Sequence, residues 1–275
     1  MKKNRQKITK KAPKFGHIMG INVSSTSIDR VLTRVRNLLS DSSLTKENPR
    51  KFSIVTPNSE LVLMAQKNLQ LKNALNAAKF PIPDSVGLNY AYKYLFGKPL
   101  NIIPGRVLFG RLIELSDRNK WRVFFLGGRD NEAQKAADKI KDQYKNIKIK
   151  TFKGPVFDDN AETVTEINRK YLIDTVKKIN TYKPHLLFVA FGNPKQEIWI
   201  YKNLKNLNVG GAMSVGGTFR YVAGFSELPP KWIEELGLEW LHRLVLEPYR
   251  IGRIINAVII FPLKVFSYKI KHPSI

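Results

Sequence analysis

The side chains with chemical potential are gathered in four short polar stretches: Thr56-Pro57-Asn58, Pro83-Asp84-Ser85, Gly127-Gly128-Arg129 and Gly192-Asn193-Pro194-Lys195-Gln196-Glu197. Hydroxyl, amide, carboxylate and cationic groups in such stretches suit the binding of phosphates and the movement of protons. Other chemistries are excluded. The chain has no cysteine, so it has no thiolate nucleophile, disulfide or sulfur-ligated metal. Its four histidines, His17, His185, His242 and His272, are scattered without ligand spacing. No Asp-x-Asp, the signature of a metal-held diphosphate, occurs. Any one of the stretches also reads as Gly, Pro and Asn making a tight turn or helix cap; four together point to a site.

The elements that must position these stretches follow from hydrophobic periodicity. KFSIVTPN precedes SELVLMAQKN, WRVFFLGG precedes NEAQKAADKIKDQY, IKIKTFKG precedes NAETVTEINRKYLIDTVKKINTY, PHLLFVAFG precedes NPKQEIWIYKNLKNL, and GAMSVGG closes the series. Each pair is a strand followed by a helix. HIMGINVSS, before the helical STSIDRVLTRVRNLLSD, reads as a first strand of the same kind. Continuous apolar runs such as VFFLGG suit strands buried on both faces. The expected architecture is α/β, a Rossmann-like, mostly parallel sheet with helices on both faces. In such sheets ligands bind beyond the carboxyl ends of the strands, where the polar stretches fall.

With 275 residues, 43% of them hydrophobic, the chain can bury a sizeable core. Its net charge of +25 implies polyanionic partners: nucleic acid, anionic headgroups or phosphorylated substrates. Residues 1–14 carry seven basic and no acidic side chains, and 241–275 carry six basic and one acidic. The basic N-terminus has no apolar stretch behind it, so a secretory signal is not expected; with the absent cysteines this favours the cytoplasm. After Leu236 aromatic and aliphatic residues interleave with regularly spaced arginines. The most apolar piece, residues 254–266, is interrupted by Asn256, Pro262 and Lys264 and falls short of the about 20 residues that a spanning helix needs. An interfacial, membrane-docking helical appendage is expected instead. The organisation is a basic arm over 1–15, an α/β domain over 16–240 and the appendage over 241–275.

VTPNSE, the PDSVGL stretch, FVAFGNPKQE and GLEWLHRLVLEPYRIGR, in that order across roughly residues 16–255, resemble the WecG/TagA/CpsF glycosyltransferase family. The resemblance implies an inverting, metal-independent transferase without cofactors. Its donor is a UDP-sugar carrying N-acetylmannosamine or its uronic acid, and its acceptor a polyprenyl-diphosphate-linked N-acetylglucosamine in cell-surface polymer or teichoic acid synthesis. It further implies a peripheral place on the anionic inner face of the cell membrane, no nucleic-acid partner, and leaves a homo-oligomer open. Carried onto this chain, it makes Asp84 the catalytic base, with helix capping as the plain alternative. Thr56, Asn58, Arg106, Gly192, Lys195, Gln196, Glu197, Arg243, Arg250 and Arg253 are the substrate-binding candidates. Thr56, Asn58 and Gln196 also read as cap or turn residues, and Lys195 and Glu197 equally as a solvated helix face. Arg250 and Arg253 are expected on one helical face with Arg243 on the same side.

The chain departs from the family pattern near the pocket. Ser85 follows Asp84 where glycine is usual, Ile102 stands where arginine is usual with Arg106 as the replacement, Arg220 stands where an acid is common, and Leu228-Pro229-Pro230 replaces Arg-Ala-Pro. These bear on donor choice, and a divergent assembly partner is the alternative within the family. A nucleic-acid-binding protein is the rival from outside it, but no reader motif appears. No Gly-x-Gly-x-x-Gly opens a helix, which argues against a dinucleotide enzyme.

Overall fold

A computed structural model describes residues 15–40, 51–227, 229–230, 233, 239–246, 248 and 251–273. Six strands, β3 (Phe52–Val55), β4 (Phe80–Pro81), β5 (Arg122–Gly127), β6 (Lys148–Phe152), β7 (Leu186–Ala190) and β8 (Gly211–Ser214), form one parallel sheet in the order β4-β3-β8-β7-β5-β6. The helices are α1 (Ile28–Ser40), α2 (Ser59–Ala65), α3 (Leu69–Ala77), α4 (Val86–Phe96), α5 (Gly105–Arg118), α6 (Glu132–Gln143), α7 (Glu166–Tyr182), α8 (Lys195–Asn203), α9 (Thr218–Ala223) and α10 (Glu239–Leu246). A last helix, α11 (Ile251–Lys271), contains a π-helical stretch over Asn256–Ile260.

The expected α/β sheet is present with helices on both faces. Alternate residues of each strand enter opposite cores. Phe124, Leu126, Leu187 and Val189 pack with Leu61, Leu88 and Ile198; Val123, Phe125, Leu186 and Phe188 pack with Val35, Leu112, Ala136 and Phe219. The strands therefore read as unbroken apolar runs. Register is fixed partly by shape: Phe52 pairs with Gly211, where a Cβ would lie 2.3 Å from the Phe52 ring.

The expected first strand is corrected. β1 (Gly16–Ile18) and β2 (Ile21–Val23) pair antiparallel in a separate two-stranded hairpin. Met19 and Gly20, both at positive φ (49° and 78°), form its turn, and Ser24 N donates to Pro81 O to bring the hairpin beside β4.

The C-terminal segment also differs. α11 is one helix of 21 residues, with an 18-residue window of mean hydropathy 1.5. It is thus long and apolar enough to cross a membrane by length and composition, where residues 254–266 alone are not. Phe261 and Val265 are buried in the core shared with α2 and α4, Phe266 lies 6.4 Å from Tyr94, and Lys269 Nζ donates to Leu95 O. The basic arm lies outside the described residues, apart from Phe15.

At the end of β5, Gly127 has φ 91° and its missing Cβ would sit 2.7 Å from Ala190 O. Gly127→Ala combines a left-handed alanine with overpacking and should cost about 1–3 kcal/mol. A thermal midpoint equal to that of the unsubstituted protein would contradict this packing.

Candidate active site

The parallel strands point their carboxyl ends to one edge, and the turns there are cross-linked. Ile82 N donates to Val55 O (2.9 Å) and Asp84 N to Pro57 O (2.9 Å), which holds the turn after β4 against the turn after β3. Ser59 Oγ lies 3.4 Å from Ser85 Oγ. Ile103 N donates to Pro83 O, which draws in the start of α5.

Asp84 is half-buried, and its Oδ1 accepts from Gly105 N at 2.7 Å. The cap alternative is thereby redirected. Ser85, not Asp84, occupies the N-cap position of α4, while the Asp84 carboxylate sits at the N-terminus of α5. An anion is favoured there by the unpaired amides and the helix dipole. Thr56 shares the spot: a Cβ on Gly105 would lie 3.3 Å from Thr56 Oγ1 and Cγ2. Arg106 follows directly and lines a cavity of about 180 Å³ with Val107, Thr218, Tyr221 and Val222. Ile102, at the position usually held by arginine, packs partly buried against the core.

The turn after β7 is built differently from the expectation. Gly192 has φ 79°, and the Asn193–Pro194 peptide is cis. Gln196 is buried, with Nε2 donating to Asn193 Oδ1 (2.9 Å) and Glu197 Oε1 (2.8 Å) and Oε1 accepting from Gly216 N (3.1 Å). It ties the turn after β7 to the turn after β8. Glu197 is 1% exposed, which corrects the solvated-face reading. Burial pushes its carboxyl up to about 7; hydrogen bonds from Gln196, its own backbone and Ser214 work against this, and the Glu60 charge adds to it. Lys195 turns away, with Nζ donating to Phe157 O at 2.9 Å and lying 3.8 Å from Asp159. Asn58 is the N-cap of α2, its Oδ1 accepting from Leu61 N.

Residues 16–274 match the model of the Glycosyl transferase WecG/TagA/CpsF family. The chain belongs to this family. It is a glycosyltransferase. Two relatives from Staphylococcus aureus, strains NCTC 8325 / PS 47 and COL, bear the name N-acetylglucosaminyldiphosphoundecaprenol N-acetyl-beta-D-mannosaminyltransferase. Each is 27% identical over 253 residues, which cover 92% of this chain and 91% of the relative.

In this WecG/TagA/CpsF chain the three C-terminal arginines have different standings. Arg253 Nε and Nη2 both lie 2.7 Å from the Glu60 carboxylate, so the start of α11 is clamped beside the Asn58 cap. Arg243 belongs to α10, with its side chain outside the described residues, and Arg250 lies outside them too; their expected common face falls there. Among the described residues no group of three His, Cys, Asp or Glu side chains could hold a metal ion.

The sequence reading missed Glu132. It is buried at the start of α6; Oε2 accepts from Arg129 N at 2.9 Å, and Oε1 lies 3.3 Å from Arg220 Nη1. The basic residue at 220 thus has an acidic counterpart on a neighbouring helix. An acid three residues after Arg129, in the first turn of a predicted helix, is the signal that marks such a residue.

Because the Glu197 carboxyl is raised, the folded protein holds a proton that the unfolded chain has released between the ordinary glutamate value of 4.5 and about 7. Its contribution to stability is full below that window and lost as pH rises through it. The thermal midpoint of the unsubstituted protein should therefore decline more between about pH 5 and pH 7.5 than that of Glu197→Gln. Parallel declines would contradict the assignment.

Proposed function

We propose that the crevice at the strand ends transfers an N-acetylhexosamine, N-acetylmannosamine-like or its uronic acid, from a UDP-sugar to a polyprenyl-diphosphate-linked N-acetylglucosamine with inversion. The observation that carries this is the Asp84 carboxylate, fixed by the Gly105 amide one residue before Arg106. The names of the relatives support the acceptor and the sugar. In the proposed step the acceptor hydroxyl oxygen bonds to the anomeric carbon as the bond to UDP breaks. The bonding electrons leave with UDP and the hydroxyl proton passes to Asp84. Arg106, with Thr56 and Thr218 beside it, balances the charge that grows on the departing diphosphate.

Asp84→Asn keeps an oxygen to accept from Gly105, so fold and donor affinity should persist while turnover falls about 10²–10⁴-fold. Unchanged turnover would leave Asp84 a helix cap. Arg106→Ala should lose nearly as much, and a wild-type rate would remove Arg106 from the site.

The membrane is the proposed location of the acceptor and of α11, with α11 lying on the surface as the appendage of a peripheral, inner-face enzyme. Ile255, Ile259, Leu263, Phe266 and Ile270 follow one another at helical spacing and are all exposed, opposite buried Phe261 and Val265. Exposed Lys264 and Lys271 flank this stripe. Apolar residues entering the acyl boundary, with lysines at anionic headgroups, make an interfacial helix. The contacts of Phe261, Val265 and Lys269 with the core favour this over crossing. Leu263→Glu with Phe266→Glu should weaken sedimentation with phosphatidylglycerol vesicles at least about tenfold, leaving turnover on a water-soluble acceptor intact. Undiminished sedimentation would move the docking surface elsewhere.

A further inference from the structure

The proposed transfer uses Asp84 and Arg106, yet the most deeply buried acid among the described site residues, Glu197, has no part in it. Glu197 Oε2 and Ser214 Oγ are both buried without a hydrogen bond of full geometry, although Ser214 lies near enough to act on the Glu197 carboxyl. A buried carboxyl oxygen and a buried hydroxyl left without such a bond call for an explanation.

The other carboxyl oxygen decides how Gln196 lies. With Nε2 facing Asn193 Oδ1 and Glu197 Oε1, and Oε1 facing Gly216 N, the amide has two acceptors on its nitrogen side and a donor on its oxygen side. A flip would set oxygen against two oxygens and NH₂ against an N–H. The locked amide sets the position of Gly216, at φ 52°, and Thr218 two residues on lines the Arg106 cavity.

We propose that Glu197 is a positioning residue that works as a neutral acid, holding Gln196 and through it the Gly216–Thr218 turn against the Arg106 cavity. This rests on the transferase reading of that cavity. In the neutral form Oε1 still accepts from Gln196 and the proton on Oε2 is available to Ser214 Oγ; an ionised carboxylate can accept from the same two groups, so burial without a neighbouring cation among the described residues is what favours the neutral acid. Ionisation leaves a charge in a dry site. The charge acting on it from the described residues is Glu60 on α2, itself held by Arg253 of α11. β3, β7 and β8, against which α8 packs, carry no charged side chain; α3 carries Lys72 and the turn over 204–206 carries Lys205. Loss of the proton therefore slackens the turn, and the raised carboxyl places that loss at about pH 7.

The test uses the full chain, Glu197→Gln and Glu197→Leu, with a UDP-sugar panel and a short-chain prenyl-diphosphate N-acetylglucosamine from about pH 5.5 to 9. Amide and ¹³C-carboxyl NMR titrations of the unsubstituted protein run beside it. Glutamine reproduces the neutral acid, its carbonyl accepting from Gln196 and its NH₂ donating to Ser214. Glu197→Gln should keep kcat within about twofold and lack the alkaline decline near pH 7 expected of the unsubstituted enzyme. Glu197→Leu should lower kcat about 10–10²-fold across the range with a smaller change in KM. The Gly216 amide should shift with the same midpoint as the Glu197 carboxyl. Equal damage from Gln and Leu, identical pH profiles for Gln and the unsubstituted enzyme, or a Gly216 amide indifferent to that titration would each overturn the proposal. If no UDP-sugar is transferred at any pH, the transferase reading fails, and the two NMR titrations still decide whether Glu197 governs the turn.

Discussion

A strand hydrogen-bonded along both edges and covered on both faces has room for charged side chains only at or beyond its ends. β3, β5, β7 and β8 are such strands, and their residues enter one core or the other in strict alternation. Because all six strands of the sheet are parallel, their carboxyl ends meet along one edge. The polar chemistry of the chain is gathered there as a consequence of burial elsewhere. The turns then stiffen one another: Asp84 and Ser85 bind to the turn after β3, and Gln196 binds the turn after β8.

That edge handles charge without a metal-ligand cluster among the described residues. The Asp84 carboxylate is stabilised by the amide at the start of α5, and the next residue supplies a cation. In the proposed transfer Asp84, fixed by a backbone amide, need not reorganise as it receives a proton, which is the condition under which positioned groups contribute most. Among the described residues the charge acting on buried Glu197 is that of Glu60, which Arg253 holds. Appendage and core are thus joined at the rim of the site.

The sheet was legible because doubly buried strands carry their signature in every residue: VFFLGG and LLFVAFG admit few other readings. β4 was not, since two residues, Phe80 and Pro81, leave no periodicity to detect. HIMGINV has the composition of a buried strand, but the Met19-Gly20 turn inside it makes a hairpin, and turn chemistry outweighs the apolar count. Among the site candidates, Asp84 and Thr56 both lie against Gly105, and Arg106 follows it directly. Glu197 and Lys195 could not be told apart from sequence, because the first turn of a helix presents one residue to the core and its neighbour to the surface. Here Glu197 faces inward and Lys195 binds the loop after β6. The Glu132–Arg220 pair spans 88 residues, beyond the reach of any local pattern.

The account stands on the strand-end crevice being where the nucleotide sits. A second cavity competes: an open groove of about 640 Å³ at the β6 edge, lined by Lys150, Thr151, Phe152, Lys177 and Lys178, is larger and also basic. Titration of isotope-labelled full-length protein with UDP, followed by amide chemical shifts, separates the two. The account predicts saturable shifts at Thr56, Gly105, Arg106 and Gly216–Thr218 with the β6 groove silent. Shifts confined to Lys150–Phe152 and Lys177–Thr181 would contradict it.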